Sequence, residues 1–189
     1  MPHPEPLLLL ASLLAIYFLL SIIIVHITRK DLPFLKTPLS KYAFGKNSFW
    51  LSSGFVLVGI NEIIIAYVIR DNFPASLGLS LAGLGVTIVG LIKMDALNMQ
   101  SSQNIIHNIG IILQFLSFPI AVGLLSLETF NFPLKIYYLG TSLATLWLFI
   151  IIFVLYPKYE MDRVKYYGLI QKTNILLMNI CLIIIPLTL

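Results

Sequence analysis

Long apolar stretches dominate this chain, and short polar intervals separate them. A helix of about 20 apolar residues crosses a bilayer hydrocarbon core about 30 Å thick. Six stretches reach this length, and we expect transmembrane helices over residues 7–27, 48–69, 75–92, 104–127, 134–156 and 168–186. The pattern predicts an all-α fold, a polytopic bundle of six transmembrane helices without a soluble domain, in which residues 1–189 form a single domain.

The composition agrees with a membrane environment. Of the 189 residues, 59% are hydrophobic and 11% are charged, whereas a soluble domain has roughly 25% charged residues. The single cysteine, Cys181, excludes an intramolecular disulfide and any zinc site built from several cysteines. The net charge of +4 resides in short loops between apolar segments, so we expect no nucleic-acid partner.

Lysine and arginine residues are distributed unevenly between the two sides of the predicted bundle. Basic residues accumulate in the cytoplasmic loops of membrane proteins. One side has only Arg70 and Lys135, and we therefore expect it, with both termini, to be non-cytoplasmic. Loops one, three and five are predicted to be cytoplasmic, in a prokaryotic inner or plasma membrane. With the start of the sixth helix they hold ten basic residues: Arg29, Lys30, Lys36, Lys41, Lys46, Lys93, Lys158, Arg163, Lys165 and Lys172.

Several aromatic residues lie near the predicted cytoplasmic helix ends. Amphipathic rings favour the interface between membrane and water, and we expect these residues to anchor the helices there. His26, at the end of the first helix, is expected to be a polar tip at the same level. The aromatic residues are Tyr42, Trp50, Tyr156, Tyr159, Tyr166 and Tyr167.

Glu62 is the most unusual residue of the pattern, because it lies well inside the second predicted helix, next to Asn61. An ionised carboxylate is costly there, so the group should be protonated, paired or in contact with a wet cavity. One hypothesis is a proton-linked or cation-contacting carboxylate, or an acid/base group. The alternative is a neutral glutamate that is hydrogen-bonded to a neighbouring helix.

Asp95 and His107 form a second candidate site, at the end of the third helix and the start of the fourth. A carboxylate beside an imidazole suits general acid/base catalysis, or half of a metal site. The alternative, which we favour, is a structural clamp between the two helices. In that case Asn98, Ser101, Ser102 and Asn104 cap the fourth helix.

Small and polar residues form one stripe on each of the third and fourth predicted helices. Such stripes allow membrane helices to approach closely, so we expect both faces to pack inside the bundle, with a ligand groove as the less favoured alternative. The third helix has Ser76, Ser80, Gly83, Thr87 and Gly90. The fourth has His107, Gly110, Gln114, Ser117 and Ala121.

The segment from Asp95 to Phe115 resembles a family of small bacterial and archaeal membrane proteins, the domain of unknown function 998. The resemblance rests on an acidic residue after the third helix, a serine-rich loop and a His-Asn-x-Gly motif. A Gly-Leu pair before the last helix is also similar. The matching residues are Asp95, Ser101, Ser102, His107, Asn108, Gly110, Phe115, Gly168 and Leu169. The resemblance implies a six-helix bundle and no particular reaction.

These features lead to three hypotheses about function. Because HExxH, GxSxG and Walker motifs are absent, we favour an accessory or non-enzymatic protein that binds a lipid or small amphiphile between its helices. The candidate binding residues are Asn61, Glu62, Asp95, His107 and Gln114. The alternatives are a proton-linked transporter that uses Glu62, and an intramembrane enzyme that uses Asp95 and His107. We expect membrane lipids and another membrane protein as partners, and no metal or cofactor.

Overall fold

The computed structural model describes residues 5–93, 101–155 and 166–189, and these contain six long helices and no strand. All six are long and apolar enough to cross a membrane. This confirms the predicted all-α bundle of six membrane-spanning helices, and the helix ends lie within a few residues of those predicted. A π-helical segment, Ile151–Leu155, continues the fifth helix. The helices are α1 (Glu5–Thr28), α2 (Ser48–Val68), α3 (Phe73–Leu91), α4 (Ser102–Glu128), α5 (Phe132–Ile150) and α6 (Tyr167–Thr188).

Three helices begin at a polar residue that caps their first turn. The side chains of Asn72, Ser101 and Asn131 each accept a hydrogen bond from the backbone amide three residues later. Such a cap satisfies one of the free amides of the first turn. In α3 and α5 a proline follows within the first turn, where its missing amide hydrogen is not needed. Local sequence therefore determines where these helices begin.

The helices pack in chain order, and α6 closes the bundle against α5 and α1. The tightest packing involves α3, which contacts α2 on one side and α4 on the other. A Cβ atom added to Gly83 would lie 2.6 Å from the carbonyl oxygen of Gly59, and one added to Gly85 would lie 2.6 Å from that of Gly110. Both distances are too short for any side chain. The glycines therefore allow α2 and α4 to lie backbone to backbone with α3.

The two small-residue stripes pack inside the bundle, but they do not face each other. The stripe on α3 faces α2, since Ser76 donates a hydrogen bond to Ala66 on α2 and Gly90 lies against Ser52. The stripe on α4 packs against the opposite face of α3, which contains Gly78 and Gly85.

The loop between α1 and α2 folds back onto the start of α6. It contains a short 3₁₀ helix, Leu39–Ala43, and the backbone amide of Leu169 donates to the carbonyl of Leu35. Tyr42 in this loop is only 1% exposed. The predicted role of Tyr42 as an interface anchor is therefore wrong, because the loop folds onto the start of α6 and the ring is buried in the interior.

Candidate functional site

Glu62 lies in the middle of α2 with no exposed surface. The Nε2 atom of Gln114 on α4 donates a hydrogen bond of 2.8 Å to its Oε1 atom. Gly83 on α3 has no side chain at this level, and a Cβ atom placed there would lie 3.2 Å from the Cβ of Glu62. The structure therefore brings two of the predicted site residues together across the bundle.

This polar pair is only partly satisfied by the described residues. The Oε2 atom of Glu62 and the Oε1 atom of Gln114 are buried and form no hydrogen bond within the described part of the chain. The same holds for both side-chain polar atoms of Asn61, which is fully buried at the preceding position of α2. Polar atoms without a hydrogen-bond partner are costly in an apolar interior, so this cluster lowers the stability of the bundle.

A small cavity lies beside Gln114 in the interior of the bundle. The amides of Gln171 and Asn179 on α6 also line it, and its volume is about 40 Å³. A cavity needs about 10–15 Å³ by this measure to hold one water. This cavity therefore has room for a few water molecules and is too small for a lipid chain.

His107 links the start of α4 to the end of α3. Its Nδ1 atom lies 2.6 Å from the carbonyl oxygen of Ile92, and because a carbonyl only accepts, Nδ1 carries the proton and donates. The bond satisfies a carbonyl at a helix end, where no helical partner is present. Asp95, the other member of this predicted pair, lies outside the described residues. His107 precedes Gln114 by two helical turns, about 10 Å along the axis.

A larger groove lies between α1 and α6, and no acidic residue lines it among the described residues. Its volume is about 470 Å³, and its walls are mostly leucine and isoleucine. Ile23 and Leu176 at its rim are about half exposed, so the groove opens toward the outside of the bundle. This volume falls within the range of ligand pockets.

The two polar side chains of this groove are Lys172 and His26. Lys172 is 9% exposed, and its Nζ atom donates a hydrogen bond of 2.5 Å to the carbonyl of Phe34. The ammonium group also lies over two aromatic rings, 4.1 Å from the centre of Phe34 and 4.9 Å from that of Tyr42. No carboxylate among the described residues pairs with Lys172. The ion pair within those residues joins Arg29 to Asp31.

His26 contacts the same two rings from the α1 side. Its ring centre lies 4.6 Å from that of Tyr42 and 5.0 Å from that of Phe34. Its Nδ1 atom bonds to the carbonyl of Ile22, whereas its Nε2 atom has no partner among the described residues. Lys172 and His26 therefore lie at the same level and contact the same aromatic pair.

The loop that supplies this aromatic pair is held in place by its own charges. Arg29 forms an ion pair of 2.9 Å with Asp31 and also donates a hydrogen bond to the carbonyl of Phe44. The hydrogen bond from Arg29 lowers the pKa of Asp31. Burial raises the pKa of Tyr42, which therefore remains a phenol and donates a hydrogen bond to the carbonyl of Leu32.

Sequence reasoning missed the groove. The basic-residue pattern identifies Lys172 only as a topology marker, and the position of His26 predicts only a polar tip, because the sequence does not show that the loop after α1 folds onto α6. One signal was present, since α6 combines Gln171, Lys172, Asn174 and Asn179 within an otherwise apolar span. Four such residues in one membrane helix indicate that it faces the protein interior.

Comparison with known proteins identifies a family for this fold. No curated protein and no solved structure matches the chain. The model of the family described as "Protein of unknown function (DUF998)" matches residues 10–187, which include all but the ends of the six-helix bundle. The predicted resemblance is thereby confirmed, and the chain belongs to the DUF998 family.

Proposed function

We propose that this protein is a non-enzymatic membrane component that binds a lipid or other amphiphile in the groove between α1 and α6. The observation that carries the proposal is the groove itself, with its 470 Å³, its apolar walls and its opening toward the outside of the bundle. An amphiphile needs an apolar channel for its chain and polar contacts at one end. The groove offers both, because His26 and Lys172 lie together on the rings of Phe34 and Tyr42.

Photocrosslinking tests this proposal. The protein is reconstituted in lipid bilayers that contain a lipid with a diazirine on its acyl chain, and the crosslinked peptides are identified by mass spectrometry. We expect crosslinks to concentrate on α1 and α6 around Leu19, Ile23 and Leu176. Leu19→Trp places a large ring in the groove and should remove most of them.

The matched control is Leu143→Trp, on the exposed face of α5. This substitution adds the same ring at an exposed position that does not line the groove, so the crosslinks on α1 and α6 should remain. Uniform labelling of all six helices, unchanged by Leu19→Trp, would contradict the proposal.

A second candidate function is proton-linked transport through Glu62. The observation that favours it is a fully buried carboxyl group whose only hydrogen-bond partner among the described residues is a neutral amide. Because no cation there balances its charge, ionisation has a high desolvation cost. Proton binding is therefore the chemistry that suits this position, and intramembrane carboxylates often serve proton relays.

Flux measurements in proteoliposomes distinguish this second candidate. Glu62→Gln keeps the shape and the hydrogen bond to Gln114 but cannot exchange a proton, so it should abolish any pH-driven flux. Glu128→Gln makes the same chemical change at an exposed position at the end of α4 and should leave the flux unchanged. Equal flux in wild type and Glu62→Gln would rule out a role for this carboxylate.

A further inference from the structure

The charge of the groove specifies its ligand more closely than its shape does. Lys172 is a buried ammonium group with three N–H donors, and the described residues give it one carbonyl acceptor and two ring faces. Buried charges in proteins are normally paired with an opposite charge. The carboxylate of Asp31 in the same loop is already bound by Arg29. Lys172 is therefore a cation at the groove with no counter-charge among the described residues.

His26 adds a second polar group at the same end of the groove. Its Nε2 atom is unpartnered among the described residues. Its ring packs on Phe34 and Tyr42, the same two rings that Lys172 contacts. From His26 back to Leu19, the α1 wall of the groove extends about 10 Å along the helix and is lined by apolar residues. The polar groups thus lie at one end of an apolar channel.

We infer that the groove binds a membrane lipid with an anionic head group, whose negative charge is contacted by Lys172 while an acyl chain lies along α1 and α6. This inference rests on the proposed function and adds the class of ligand to it. A bilayer lipid fits better than a water-soluble anion, because the groove opens at Ile23 and Leu176 to the face that the membrane surrounds. The lysine supplies the charge, and Nε2 of His26, which has no proton because Nδ1 donates to Ile22, can accept a hydrogen bond from a hydroxyl of the head group.

Quenching by brominated lipids can measure this preference at the groove. Leu176→Trp, in a chain that also has Trp50→Phe and Trp147→Phe, places a single fluorescent reporter at the rim. The protein is reconstituted in bilayers in which either phosphatidylglycerol or phosphatidylcholine is brominated, with identical acyl chains. We expect the relative binding constant at this reporter to favour phosphatidylglycerol by about tenfold, because the quaternary ammonium of phosphatidylcholine offsets the phosphate charge that Lys172 contacts.

Two substitutions of Lys172 separate charge from structure. Lys172→Gln keeps an unbranched polar side chain but has no charge, and the preference should fall to about one. Lys172→Arg keeps the charge and should retain most of it. A control reporter is the natural Trp147, which is exposed on α5. Kept as the only tryptophan by Trp50→Phe, it should show no preference between the two lipids.

The outcomes distinguish this inference from the proposed function. Strong quenching at position 176 by both lipids equally would overturn the anionic head group and leave amphiphile binding intact. Quenching there no stronger than at Trp147 with either lipid would overturn both. Quenching by a brominated fatty acid without quenching by phosphatidylglycerol would replace the membrane lipid by a free acid and overturn the inference as stated.

Discussion

At the scale of single residues, the bundle handles its intramembrane polar groups in two different ways. Glu62 and Gln114 bind each other across the interior, where neither has exposed surface beyond 7%. Lys172 instead uses a carbonyl and two aromatic rings from the loop after α1. The first arrangement joins two helices, whereas the second leaves a charged group at the edge of a groove. We therefore expect substitutions at the first to change stability and those at the second to change binding.

The pair of Glu62 and Gln114 gives a direct prediction about stability. Glu62→Leu alone leaves the amide of Gln114 without its acceptor and should lower the free energy of unfolding in detergent by about 1–2 kcal/mol. Gln114→Leu alone should have a similar effect on the buried carboxyl group. The double variant removes both polar groups and should recover most of the loss, because replacing both partners by apolar residues is nearly neutral. A double variant that loses the sum of both effects would show that the two side chains do not depend on each other.

At the scale of helices, the tight contact of α3 with its neighbours depends on glycine rather than on apolar side chains. In a bilayer, apolar side chains gain little by leaving lipid, so close backbone contact supplies much of the packing energy. The contact with α2 uses Gly59 and Gly83, and the contact with α4 uses Gly85 and Gly110. The position of α3 between them also keeps Glu62 and Gln114 at hydrogen-bonding distance.

Substitution of Gly85 tests this packing. A Cβ atom at this position would lie 2.6 Å from the carbonyl oxygen of Gly110 and 2.7 Å from the amide nitrogen of Gln114. Both contacts are with backbone, so Gly85→Ala must separate α3 from α4 and should cost about 1–3 kcal/mol of stability. Gly140→Ala on α5 is the matched control, since a Cβ atom there meets nothing within 4 Å. Equal unfolding midpoints for the two variants would argue against the glycine contact.

Sequence reasoning succeeded for the helices and only in part for the candidate site. The six spans were predictable because length and hydropathy alone decide whether a segment can cross a bilayer. Glu62 was identifiable because a carboxylate is rare in such a span. Its partner was only one polar residue among several, since no local pattern states which helix faces α2. Lys172 was not recognised, because the fold of the loop after α1 brings Phe34 and Tyr42 to it from far away in the chain.

At the scale of the whole molecule, the groove has a definite position relative to the basic residues. Lys172, His26 and the loop after α1 lie at the same end of the bundle, because Gln171 and Lys172 on α6 bond to Leu39 and Phe34 of that loop. Loops one, three and five are expected to be cytoplasmic from their basic residues. In that orientation the head group of a bound lipid lies in the cytoplasmic leaflet.

Cysteine labelling tests this orientation. Cys181 is fully buried, and its replacement by serine gives a background in which single cysteines can be added. A membrane-impermeable maleimide applied to intact cells should label Arg70→Cys and Lys135→Cys, and should label Lys46→Cys only after the cells are opened. Labelling of Lys46→Cys in intact cells, without that of Lys135→Cys, would invert the topology and move the groove to the other leaflet.

Native mass spectrometry after gentle extraction from the membrane tests the central claim, that the groove between α1 and α6 holds an amphiphile, most directly. The wild-type protein and Leu143→Trp should each retain one additional mass that corresponds to a lipid, and Leu19→Trp should lose it while it remains folded. Bare wild-type protein, or the same bound mass on a folded Leu19→Trp variant, would contradict the account. Lys172 and His26 would then serve packing alone.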